Sequence, residues 1–345
     1  MEEFVQETPE LQAEPVTLDS ISRFEVTLGG DASTLSKTLY GNGRMQVKVQ
    51  VLVSGVDVSG NYAVIPDDVF QSIELVHYHT GKPLQDGWRA TVEPGEFTSE
   101  APSARKATNS TATVGATESI QRQVRTLWVS AEGAATTRIA ARIFLNGRFI
   151  YTNSSSLFSM HDSSVTIESQ APPRYAIENF RWEPVIRGDE KSGHKIFNYY
   201  LGLYVQGQQI KLMDWVKDNQ TGSIEFAYGN HINGYVGGEK VNALKGVLVR
   251  PDRRKIGVVL PLLTGRVTAQ NPVRSYSVAQ YTVRVNDRDG ELTAVVSWSR
   301  DFWRDQQASS HEGVFHFKVL DQFGTEHQLA IRSVIKDGSF KLEQG

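Results

Sequence analysis

The chain has 345 residues, a formal net charge of -3 and no cysteine. Its length suits two or three compact units with ample material for cores. The near-neutral balance leaves no electrostatic footprint for DNA or an anionic membrane. The missing cysteine excludes disulfides, thiolate metal sites and cysteine nucleophiles.

Residues 1–20 are polar and acidic, with Pro9 and Pro15 and no apolar core of a secretory signal. They read as a flexible acidic arm, the alternative being an arm that orders on a partner subunit. The expectation is synthesis in the cytoplasm without a Sec signal, with release as part of a particle or by a non-Sec route. No apolar run approaches the roughly 20 residues of a membrane helix.

The first strong pattern is "LYGNGRMQVKVQVLVSGVDVSGN", residues 39–61. Met45, Val47, Val49, Val51 and Val53 alternate with Gln46, Lys48, Gln50 and Leu52, the period of a half-buried strand. "GNG" at 41–43 is the turn that launches it, and Asp57-Val58-Ser59-Gly60 closes it. "IPDDVFQSI" predicts one helical turn with Pro66 at the first helical position. "IELVHYHT" predicts a strand, followed by turn chemistry in "TGKPLQDGW". Residues 96–119 are rich in Ser, Thr and Ala and predict a linker or mobile loop.

Asn146-Gly147 is the preferred pair of a type I′ hairpin, between "TRIAARIFL" and "RFIYTN". Many short apolar strands follow, with no long amphipathic helix. Pro172-Pro173 marks either a second boundary or a stiff crossover. Asp57-x-x-Gly60, Asp287-x-x-Gly290 and Asp321-x-x-Gly324 share one turn device: the aspartate accepts backbone N–H groups and the glycine takes positive φ. Their unequal intervals do not make a repeat. The expected class is all-β, in two or three β-sandwich or jelly-roll-like modules with an extended N-terminal arm. The expected order is arm 1–20, module 21–95, linker 96–119, hairpin-rich middle module 120–175 and C-terminal sandwich 176–345.

Motifs for chemistry are sparse. There is no G-x-S-x-G elbow, no Walker A loop and no G-x-G-x-x-G between strand and helix. His77-x-His79 would face one side of a strand, as two zinc ligands must, but no third ligand is identifiable and the plain reading is two surface histidines. Asp287-Arg288-Asp289-Gly290-Glu291 lacks the spacing of a calcium loop. No cofactor is expected.

The aromatics are the better candidates. Tyr199, Tyr200, Tyr204, Trp215, Tyr228 and Tyr235 crowd one region with several asparagines. Aromatic faces and amides together suit a sugar, which has an apolar face and a polar rim; the competing reading is core filling. Trp303, amid charged residues, is a candidate partner contact.

The expected function is a non-enzymatic structural and recognition protein, a phage-type virion, spike or fibre component presenting loops on β modules. The alternatives are a free carbohydrate-binding or toxin-like module, and a β-sandwich hydrolase acting on polysaccharide, for which no carboxylate pair is nominated. The expected partners are other copies of the chain, subunits of a larger assembly or a cell-surface glycan, with no nucleic acid and no membrane insertion.

Overall fold

The computed structural model describes residues 17–29, 34–98, 122–153, 161–216, 224–229, 243–264, 275–299, 314–334 and 339–345. The acidic arm before residue 17 and most of the 96–119 stretch lie outside them. The fold is all-β: 22 strands stand among the described residues against one α-helical and one 3-10 turn. No helix among them is long and apolar enough to cross a membrane. The chain divides into two compact units, Met1–Pro172 and Pro173–Gly345, parting between the two prolines.

The first unit runs β1 (Ser20–Leu28), β2 (Ser36–Tyr40), β3 (Val47–Val56), β4 (Tyr62–Ala63), α1 (Asp67–Gln71), β5 (Glu74–His77), β6 (Trp88–Thr91), β7 (Gln123–Ala131), β8 (Ala135–Leu145), β9 (Arg148–Tyr151) and β10 (Val165–Gln170). One sheet has the order β1-β3-β7-β6, with β4 on β3. The other has the order β2-β10-β8-β5, with β9 on β8. All pairs are antiparallel except β2–β10.

The valine face of β3 explains the unit. Val49, Val51 and Val53 are wholly buried, while Lys48, Gln50 and Leu52 are half-exposed. Val53 and Val51 stand opposite Phe24 and Val26 of β1, and Val49 and Val47 opposite Leu127 and Val129 of β7. Ile139, Ile143 and Ile167 of the second sheet are equally buried, and β1 contacts β8 and β10 of that sheet. Each such side chain contributes up to about 1.5–3 kcal/mol by leaving water.

Two local expectations are corrected. Pro66 is not the first helical residue but the cap before it, its carbonyl accepting the Phe70 N–H. The division expected at 96–119 does not separate modules, because β7 lies between β3 and β6 and β8 pairs with β5. Burial of a continuous sheet face outweighs the local change in composition.

The second unit runs β11 (Phe180–Ile186), β12 (His194–Val205), β13 (Gln208–Ile210), β14 (Leu212–Trp215), β15 (Ile224–Gly229), β16 (Ala243–Leu248), β17 (Lys255–Thr264), β18 (Ser275–Arg284), β19 (Leu292–Ser299), β20 (Val314–Asp321), β21 (Glu326–Val334) and β22 (Ser339–Gln344). Its central sheet is β11-β12-β19-β16-β15, with β13 on β12. A second sheet is β14-β20-β21-β22, and β17–β18 form a separate hairpin. Ile196 and Val295 of the central sheet pack on Leu260 and Val283 of that hairpin. On the opposite face, the Trp182 indole donates to the Phe340 carbonyl of β22 at 3.1 Å. The central sheet is therefore covered on both sides.

Candidate functional site

Strand alternation sorts the tyrosines of β12 onto two faces. Tyr199 lies on one, 3% exposed, its ring 4.8 Å from that of Trp182. Burial, against a weaker hydrogen bond with the Phe340 backbone, pushes its phenol pKa up. Trp215, on β14, is 2% exposed, donates its indole N–H to the Val249 carbonyl at 2.8 Å and packs edge-on to Phe317. Both are core side chains with no face open to a ligand. Tyr228 lies on β15, with its side chain outside the described residues, and Tyr235 and Trp303 lie outside them entirely.

Tyr200 and Tyr204 are brought together on the other face of β12. Antiparallel pairing places Glu183 opposite Tyr200 and Arg181 opposite Gly202. The turn between β18 and β19 then supplies three more charged residues. Tyr200 donates its hydroxyl to Asp287 at 2.8 Å and accepts from the Asn198 amide at 3.2 Å. Tyr204 donates to Glu291 at 2.6 Å. Arg288 lies 3.9 Å above the Tyr200 ring and reaches Glu183 at 3.2 Å and Glu291 at 3.3 Å. Arg181 lies 4.0 Å above the Tyr204 ring.

The electrostatics close this cluster on itself. Burial raises the Tyr200 pKa, with Asp287 adding to it, while the hydrogen bond to Glu291 raises that of Tyr204. Both phenols therefore stay protonated and act as donors. Burial works against the Arg288 charge, but Glu183 and Glu291 outweigh it and raise its pKa. Each ring carries a guanidinium over a face, worth about 0.5–2 kcal/mol. These tyrosines fasten the β18–β19 turn to the central sheet instead of presenting bare stacking faces. This use of Asp287 differs from the expected turn: its carboxylate takes the Tyr200 hydroxyl, and Gly290 alone keeps the positive φ, at 72°.

The histidine pair is also placed differently. β5 ends at His77, whose carbonyl accepts the Gly81 N–H, so His79 sits in a turn and not on the strand. His77 Nε2 accepts the Gln85 N–H at 3.3 Å, which leaves Nδ1–H to donate to Thr137 Oγ1 at 2.9 Å. His79 is exposed, its ring edge-on to Tyr78. Among the described residues no three metal-ligating side chains gather.

A second aromatic group was missed as a site, although the sequence carried its signal. The Asn146-Gly147 turn takes φ of 51° and 78° and sets Phe144 opposite Phe149 and Arg142 opposite Tyr151. The rings of Phe144 and Phe149 are 5.1 Å apart and 44% and 43% exposed. Arg142 lies 4.2 Å over Phe149 and is held by Glu74 at 2.7 Å. A two-residue loop fixes that pairing, so reading the hairpin outward from Asn146-Gly147 would have found it.

No protein-family model, curated protein or solved structure matches this chain.

Proposed function

We propose that the chain is a non-enzymatic structural and recognition subunit, of the kind that builds phage-type virions, spikes or fibres, and that it assembles with copies of itself. One observation carries the reading: the exposed Phe144–Phe149 pair, braced by Arg142 on a tight hairpin. Exposed aromatics beside arginine are the composition of interface anchors. A rigid turn lowers the entropy lost when they are covered. The self-satisfied Tyr200–Tyr204 cluster supports the same reading, since its carboxylates are engaged by phenols and guanidinium groups.

The test is solution mass by light scattering, from about 1 to about 100 µM, beside the double variant Phe144→Ser/Phe149→Ser. The expected result is a defined multiple of 38.4 kDa that the double variant reduces. A mass of 38.4 kDa at every concentration overturns the reading.

A further inference from the structure

The turn between β20 and β21 holds a buried acid–imidazole pair that the assembly reading does not use. Asp321 is 0% exposed. Its Oδ1 accepts the N–H groups of Phe323 and Thr325, both at 2.9 Å. Its Oδ2 lies 3.0 Å from His327 Nε2. A carboxylate only accepts, so Nε2 carries the proton of this bond. His327 is 7% exposed, and Nδ1 makes no hydrogen bond to another described residue.

The turn does not require this histidine. Asp57 builds the same turn, and its Oδ2 takes only the Asn61 side-chain amide, at 3.3 Å. His327 Nδ1 is not among the fully buried unpaired side-chain atoms, so it is open to solvent or to a bound molecule.

His327 lines a cavity of about 420 Å³. Its ring centroid lies 5.3 Å from that of Tyr175 and 5.7 Å from that of Phe180, and both these residues also line the cavity. Arg174, Glu326, Gln328 and Gln344 add polar groups to the wall, Glu326 being paired with Lys318 at 3.3 Å. The volume falls within the roughly 300–1,000 Å³ of small-molecule sites.

We propose that this cavity binds a hydroxylated ring compound, with a monosaccharide unit as the chemical class. In the neutral imidazole, Nδ1 is an acceptor and calls for a ligand O–H. Arg174 and Gln328 supply donors, and Glu326 supplies a further acceptor. Tyr175 and Phe180 supply apolar surface for the C–H face of a pyranose. A simple anion would leave the aromatic wall unused and would meet the Glu326 carboxylate.

The probes are the methyl glycosides of glucose, galactose and N-acetylglucosamine, each titrated to about 20 mM against the full chain by saturation-transfer NMR, with inorganic phosphate as the anion control. At least one glycoside is expected to bind with Kd of about 1 mM or tighter. His327→Leu and Tyr175→Ala are each expected to weaken it about tenfold or more. If His327→Leu fails to fold, Tyr175→Ala decides alone, because it removes none of the hydrogen bonds made to the Asp321 carboxylate. Absence of glycoside binding, with or without phosphate binding, overturns the proposal, and so does unchanged affinity in Tyr175→Ala. A monomer that binds glycoside would retain this site and lose the assembly reading, so the two fail separately.

Discussion

Asp57 and Asp321 close the same turn in opposite surroundings. Each carboxylate accepts the second and fourth N–H groups that follow it, at 2.8–2.9 Å. Gly60 and Gly324, at φ of 82° and 75°, each donate to the aspartate carbonyl, at 3.0 and 2.9 Å. Asp57 stands at the surface of the first unit, whereas Asp321 is wholly buried in the second, where its second oxygen meets His327. The motif decides the turn, and the packing above it decides what the second carboxylate oxygen meets.

The surface member predicts an acid dependence. The Asn61 backbone N–H foremost holds the Asp57 carboxyl below its ordinary 3.8. A depressed folded-state pKa stabilises above the unfolded value, and the contribution is lost as pH falls through the folded value. Asp57→Asn keeps the acceptor oxygen and removes the charge. Its urea midpoint should lie below wild type at about pH 6 and converge with it by about pH 2. A gap that persists unchanged in acid would show that charge is not the cause.

Gly147→Val tests the hairpin. A Cβ at Gly147 meets nothing within 4 Å, so the penalty is purely that of a β-branched residue at φ 78°. The expected loss is about 1–3 kcal/mol, read as a shift in the denaturation midpoint. An unchanged midpoint would mean that the turn relaxes into another type.

Gly41→Ala tests a different glycine constraint. Gly41 accepts the Gly133 N–H at 2.9 Å and donates to the Gln170 carbonyl at 2.8 Å, tying the end of β2 to β10 and to the β7–β8 connection. A methyl group there would overlap the Gly133 carbonyl oxygen, and backbone cannot swing aside as a side chain can. The expected loss is about 1–3 kcal/mol, seen as a lowered melting temperature. Wild-type stability in this variant would show that the junction is loose.

Trp215 and Arg288 should separate core from surface. Trp215→Ala removes a buried indole and unpairs the Val249 carbonyl, with an expected loss of about 3–5 kcal/mol. Arg288→Ala removes one exposed and one part-buried ion pair and one ring contact, with an expected loss of about 0.5–2 kcal/mol. Denaturant titration of both variants checks the order. Equal losses would place Arg288 in a network as consequential as the core.

Several features of this protein are written locally in its sequence. The period of residues 47–53 determined a strand with a buried valine face, because successive side chains on a strand point to opposite sides; Met45 and Gln46, expected in the same alternation, precede the strand and are both buried. Asn146-Gly147 determined the hairpin and with it the Phe144–Phe149 pair, because two left-handed residues set the register. The aspartate and glycine of the 57–60 and 321–324 turns determined their closure. Other features were decided only by the tertiary structure: the placing of β7 between β3 and β6, the parallel pairing of β2 with β10, the core fate of Tyr199 and Trp215, and the meeting of His327 with Tyr175 and Phe180. These depend on which distant strands bury one another's faces. That outcome is set by the summed apolar area of whole sheets, which no short window of residues contains.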